Sequence, residues 1–225
     1  MDPGVLALVG IFALATVCAL WNFSHGRSIE RRLAAQGFEP CDAEAQSLEG
    51  VWRALTKLDA SQELRLVHCR RRAAARGMLY HFTVRERPIG EQGINDTANP
   101  GASCPAYLFD LQDSDSLSRG AVTLHVLPPG SRVLRKVLAG VIDIGESRHR
   151  LEVGTHPWSA SIVAAHGNAA GGLDDVMPAT VQEKLARAAA HGFFIIHLGN
   201  GKAAFAALSN HRDVDLQIAY LAEWI

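Results

Sequence analysis

Excess charge of one sign is what this chain lacks first: 22 Lys and Arg stand against 23 Asp and Glu, a formal net charge of -1. Proteins that hold nucleic acid carry a basic excess or stripe, so nucleic acid is not an expected partner. Cysteine is sparse, with four in the chain at Cys18, Cys41, Cys69 and Cys104. Cys18 falls inside an uncharged leader, which leaves an odd number at irregular spacing in the remainder. That usage argues against a disulfide framework and fits a reducing compartment. Short chemical motifs are missing too: no C-x-x-C, no H-E-x-x-H and no G-x-S-x-G occurs, so neither a local zinc site nor a nucleophile elbow is announced. Gly199-Asn200-Gly201-Lys202 imitates a phosphate loop, but Ile196 stands where that loop needs glycine and Ala203 where it needs Ser or Thr. No nucleotide and no other cofactor is expected.

What is present begins with the leader. From Gly4 to Phe23 the chain carries no charge, and about 20 residues at 1.5 Å each match the hydrocarbon thickness of a bilayer. Val5, Leu8, Ile11, Phe12, Leu14, Leu20 and Trp21 are the anchor residues of this expected span. A cleaved export signal is the competing reading, yet it needs a positively charged start, whereas Met1, Asp2, Pro3 and Gly4 carry no Lys or Arg. Arg27, Arg31 and Arg32 follow the span, and positive flanks stay on the cytoplasmic side. The expected topology is therefore single-pass, with the amino terminus outside and the body cytoplasmic, as in a bacterial inner membrane. The same arginines are candidate contacts to anionic headgroups.

The body reads as α+β: one transmembrane helix, then a mainly antiparallel sheet with packed helices. Residues 1–26 form the anchor, 27–58 juxtamembrane helices and 59–225 the body, whose halves each resemble a small layer, allowing two lobes with a boundary near 128–150. Arg27 to Gln36 reads as a short helix ending at Gly37. A second starts near Asp42 as N-cap and places Leu48, Val51, Trp52 and Leu55 on one face. Alternation then predicts strands around Leu64–Val67 and Met78–Arg85, joined through the polar run Arg70 to Gly77. Tyr107, Phe109 and Leu111 belong to a third strand, and Val122, Leu124 and Val126 to a fourth that Pro128-Pro129-Gly130 ends. Between Glu86 and Ser103 lies a long polar loop, of the kind that is functional or mobile.

Further along, Ser131 caps a helix, Val141–Ile144 and Ser159–Ala165 are expected strands, and Gly167–Gly172 is a turn. Pro178 opens a helix with Val181, Leu185 and Ala188 inward, which Gly192 stops. Phe193–Leu198 and Ala203–Leu208 pair through the Asn200-Gly201 turn, since both residues tolerate positive φ. The segment 213–225 reads as helix rather than strand.

Candidate chemistry has to be assembled from distant residues. Cys104, beside Pro105, and His156, before Pro157-Trp158, are a thiol and an imidazole that can meet in space. His68 and His81 form a two-histidine metal candidate if the hairpin sets them opposite each other. Asp174-Asp175 is read as favourable charge at a helix start. Arg65, Arg70, Arg71, Arg72 and Arg76 make the densest basic cluster, a lipid-contact candidate or a solvated hairpin end.

The expected function is that of an interaction or accessory subunit of a membrane complex, more consistent with a binding protein than with an enzyme. Its expected partners are the lipid bilayer and a membrane protein. A membrane-attached hydrolase using His156 and Cys104 is one alternative and an anionic-lipid-responsive domain another. Oligomeric state is not written in the sequence.

Overall fold

A computed structural model describes residues 28–56, 62–75, 77–88, 102–111, 120–128, 138–140, 142, 148–168, 170–207 and 214–225. The expected anchor (Val5 to Trp21), Arg27, Arg76, the start of the Ser131 helix and residues 89–101 of the polar loop lie outside the described residues. Among the described residues no helix is long and apolar enough to cross a membrane.

The chain divides into two compact units, Met1–Phe38 and Glu39–Ile225. In the first, α1 (28–35) exposes Arg31 and Arg32 and buries Leu33. It ends where the sequence places its stop. Gly37 takes φ 81, its N–H donates to the Ala34 carbonyl, and the Phe38 N–H donates to the Leu33 carbonyl. This Schellman arrangement needs a residue free to adopt positive φ, which glycine is.

In the second unit one sheet takes strands from both halves of the chain. They are β1 (Glu39–Pro40), β2 (Gln62–Ala74), β3 (Gly77–Pro88), β4 (Ala102–Asp110), β5 (Val122–Val126), β6 (His149–Glu152), β7 (Ile162–Gly167), β8 (Gly171–Gly172), β9 (Phe193–Gly199) and β10 (Lys202–Ala207). Their order is β1-β2-β3-β4-β10-β9-β5-β7-β6-β8. Every pairing is antiparallel except β6 with β8. The mixed α and β body with a large antiparallel sheet is thus as expected. One register row runs Glu39, Arg71, Tyr80, Leu108, Ala204, His197, Thr123, His166, Arg150 from strand to strand. Residues opposite one another share a face, so this row marks one side of the sheet.

That side is covered by α2 (Ala45–Thr56), whose Leu48, Trp52 and Leu55 are buried against Leu64, Leu66, Phe82, Val84, Leu108 and Ala204. The helical spacing read from the sequence put these residues on one face because 3.6 residues make a turn. On the other side, α4 (Ala179–Ala186), a 3-10 turn Arg187–His191 and α5 (Val214–Leu221) pack over Tyr107, Phe193 and Phe205. Gly192 (φ 82) stops the first of these helical runs, and Asn200 (φ 52) with Gly201 (φ 69) makes the β9–β10 turn.

Several expectations need correction. Arg70 to Ala74 is strand, not turn: β2 and β3 stay paired to Ala74↔Gly77. Long arginine stems suit an edge hairpin whose heads reach water. The polar loop is shorter than read, because Arg85 pairs with Ser103 and Glu86 with Ala102. Asp42 does not cap α2, which begins at Ala45 after a 3-10 turn Asp42–Glu44; its carboxylate instead accepts the Cys69 N–H at 3.2 Å. Ile142 is helical where a strand was expected, a short apolar run being ambiguous in period. Pro157–Ser161 is a 3-10 turn with Pro157 at its start, and the strand begins only at Ile162. Gly167 closes β7 and Gly171–Gly172 is β8, so that stretch is not simply a turn.

Candidate functional site

A cleft of about 680 Å³ opens where β6 parts from β7, and Gly154 in its lining lies close to the His156 ring. The cleft is lined by Arg150, Leu151 and Glu152 on one wall and Ser159, Ile162 and Val163 on the other. β6 pairs with β7 only at His149↔Gly167 and Arg150↔His166, then turns to β8. The imidazole stacks on Trp158 at 4.7 Å between centroids, and its Nε2 lies 3.7 Å from Asp174 Oδ1. Trp158 itself is half-buried, less enclosed than a core anchor.

Asp174 is held in turn. Gln182, fully buried on α4, donates its Nε2 to Asp174 Oδ1 at 2.7 Å and to the Met177 carbonyl at 2.9 Å. Asp175, by contrast, does the work expected at a helix start: it accepts the Gly172 N–H at 2.9 Å ahead of α3 (Leu173–Val176). Gly154 completes the arrangement. A Cβ there would lie 3.1 Å from Asp174 Oδ2 and 3.2 Å from His156 Cδ2, so a glycine lets the imidazole and carboxylate approach. The Ser159 hydroxyl in the cleft wall is buried and has no hydrogen-bond partner among the described residues. An imidazole within ion-pair range of a carboxylate and, three residues along the chain, a hydroxyl without a partner are the group types from which a general base and a nucleophile are made.

Cys104 is not part of it. It lies on β4, and β10, β9 and β5 separate β4 from β7; four strand spacings amount to about 19 Å. Instead Cys104 packs, half-buried, against a cluster that contains Cys41 and Cys69. Cys41 and Cys69 are thiols, not a disulfide. Burial, then Glu44, pushes the Cys41 thiol up to about 11; burial, then Cys41, pushes Cys69 up to about 12. Both stay protonated near neutrality and are poor nucleophiles there.

The two candidate metal ligands are also apart in register. Arg70, not His68, stands opposite His81. His68 lies in a bulge with φ 56 and is exposed, whereas His81 is buried against Tyr107 at 4.9 Å. Among the described residues no three His, Cys, Asp or Glu side chains group to hold a metal ion.

The basic cluster is divided by the strand alternation. Arg71 points to the α2 side and pairs with Glu44. Arg65, Arg70 and Arg72 share the opposite side, joined by Arg85, which stands directly across from Arg65. Arg65 and Arg85 are exposed, Arg70 and Arg72 half-buried. Local reading missed Arg85 because it belongs to the next strand, and missed Asp174 because its partner His156 lies 18 residues earlier.

No protein-family model, curated protein or solved structure matches this chain.

Proposed function

We propose that the chain is a single-span, membrane-anchored accessory subunit. Its leader holds the body at the cytoplasmic surface, and its body engages an acidic surface on a membrane protein. The observation that supports this reading is the arginine face of the β2–β3 hairpin. Arg65 and Arg85 stand directly opposite one another on an exposed surface, and guanidinium groups match carboxylates in both charge and donor geometry. An acidic surface set against them gains charge-assisted hydrogen bonds. Nothing in this reading calls on a cofactor.

Purification of the full chain from membranes in mild detergent, alongside the double variant Arg65→Glu, Arg85→Glu, tests it. The expected result is a partner that accompanies the parent and is lost from the variant, with helix and strand content unchanged. A lone monomer from both, or a partner retained by the variant, overturns the reading. Salt-sensitive binding of the chain to anionic vesicles with no protein partner assigns the arginines, together with Arg31 and Arg32, to lipid instead.

The His156–Asp174 pair, with the Ser159 hydroxyl three residues further along the chain, supports a second reading, a membrane-attached hydrolase. An ester substrate panel tests it through His156→Ala, which abolishes turnover, and Cys104→Ser, which leaves it intact. Gly154→Ala also lowers turnover by crowding the pair. Absence of turnover in the parent chain ends this reading.

A further inference from the structure

We propose that Cys41 and Cys69 are a reversible dithiol–disulfide pair that fastens β1 to β2. The register places them: Glu39 pairs with Arg71 and Pro40 with Arg70, so the next pair inward is Cys41 with Cys69. The Cys41 N–H donates to the Cys69 carbonyl at 3.0 Å, while the Cys69 N–H turns to the Asp42 carboxylate at 3.2 Å. Directly opposed antiparallel residues stand about 4.5–5.5 Å apart at Cα with side chains on one face, inside the range of about 4.4–6.8 Å that a disulfide spans. Both side chains are buried, Cys41 at 6% and Cys69 at 1% exposure, in one cluster with α2.

Position gives the pair a purpose. β1 is a two-residue strand at the end of the sheet, and it directly follows the boundary between the two compact units at Phe38 and Glu39. A bond from Cys41 to Cys69 therefore ties the point where the chain enters the sheet unit. In the closed, reduced state burial protects both thiols, and opening of the short edge strand exposes them together.

The exchange is a two-electron step with a small disulfide such as glutathione disulfide as oxidant. One cysteine thiolate attacks a glutathione sulfur, breaking that S–S bond and releasing one glutathione. The second cysteine thiolate attacks the protein sulfur of the mixed disulfide and releases the other. The two protons leaving the cysteines end on two glutathiones, which carry the two electrons. Reduction runs the same steps backwards.

The full chain in mild detergent, equilibrated in glutathione buffers of graded ratio, tests the proposal. Equilibrium is approached from the reduced chain and from chain oxidised while unfolded, so that burial traps neither state. Acid quenching, alkylation and peptide mapping then locate the bond. The expected product links Cys41 to Cys69, forms equally in Cys104→Ser and is absent from Cys41→Ser. The oxidised chain melts about 5–10 °C above the reduced one, as expected for closing a loop of this size in a protein of this length. Alkylation of both thiols at every ratio from both starting states overturns the proposal. So does a bond that recruits Cys104 or Cys18 instead, or a linked chain that melts no higher than the reduced one.

Discussion

On the side of the sheet that carries α4 and α5, the core is closed by rings. Phe205 meets Phe193 at 5.2 Å, Phe109 at 5.6 Å, Trp224 at 5.8 Å and Tyr220 at 6.1 Å between centroids, and Lys184 Nζ lies 3.9 Å over Trp224. The side under α2 is built otherwise. There one indole, Trp52, meets Phe82 at 5.6 Å and His197 at 5.8 Å, amid buried Thr123, His166, Cys41 and Cys69. Thr123 Oγ1 and His197 Nδ1 are 2.8 Å apart. The first side gains stability from apolar area. The second surrenders some of that area to polar and thiol groups, and it is where the sequence keeps groups able to change state. Removing a ring should therefore cost more on the first side than on the second.

The largest effect expected is from Phe205→Ala. Truncating a fully buried Phe costs about 3–5 kcal/mol, and here the cavity opens among four rings, which cannot all collapse into it. Denaturant unfolding should show the midpoint falling with the slope unchanged. Tyr107→Phe comes next. The Tyr107 hydroxyl donates to Gln217 Oε1 at 3.0 Å in a buried site, and leaving that carbonyl without its donor costs about 1–3 kcal/mol. An equal loss from both variants would show that the hydroxyl, rather than ring packing, dominates this side.

Trp52→Phe sharpens the contrast from the α2 side, with a loss expected within about 1 kcal/mol. The indole N–H of Trp52 is buried without a hydrogen-bond partner among the described residues. The substitution gives up apolar area but removes that donor, and the two changes offset. A loss as large as that of Phe205→Ala would mean that the two sides are built alike.

These differences bear on what could be read in advance. Helix stops at Gly37 and Gly192, the Asn200-Gly201 turn and the α2 stripe of Leu48, Trp52 and Leu55 were legible because each is decided within a few residues. The antiparallel sheet followed from alternation in Met78–Arg85 and Val122–Val126. What escaped is set by register. The bulge at His68 shifts the pairing between Val67 and Arg70, which carries Arg71 to the α2 side, Arg70 opposite His81, and Cys69 opposite Cys41. No residue type near His68 announces a positive φ. Likewise Asp174 and Asp175 both stand as acidic residues in the first turn of α3, as read, but only the fold shows that His156 lies near Asp174.

The smallest effect expected separates the two sides by the pH at which each begins to lose stability. Cys41 and Cys69 are raised from an ordinary value of 9.0 to about 11 and about 12. Below pH 9 both the folded and unfolded chains hold these protons, and stability does not change on their account. Above it the unfolded chain releases them while the folded chain keeps them, so stability falls until the folded thiols ionise as well. Burial also raises Tyr107 and Tyr220, but from an ordinary value of 10.0, so their contribution starts about one unit later. Between pH 9 and 10 the loss should thus come from the α2 side alone. Urea midpoints of the reduced chain measured across that interval should decline, and the double variant Cys41→Ser, Cys69→Ser should flatten the decline while keeping the steeper fall beyond it. A decline of equal slope in the variant would place the titrating groups elsewhere and remove the thiols from the account of how the two sides differ.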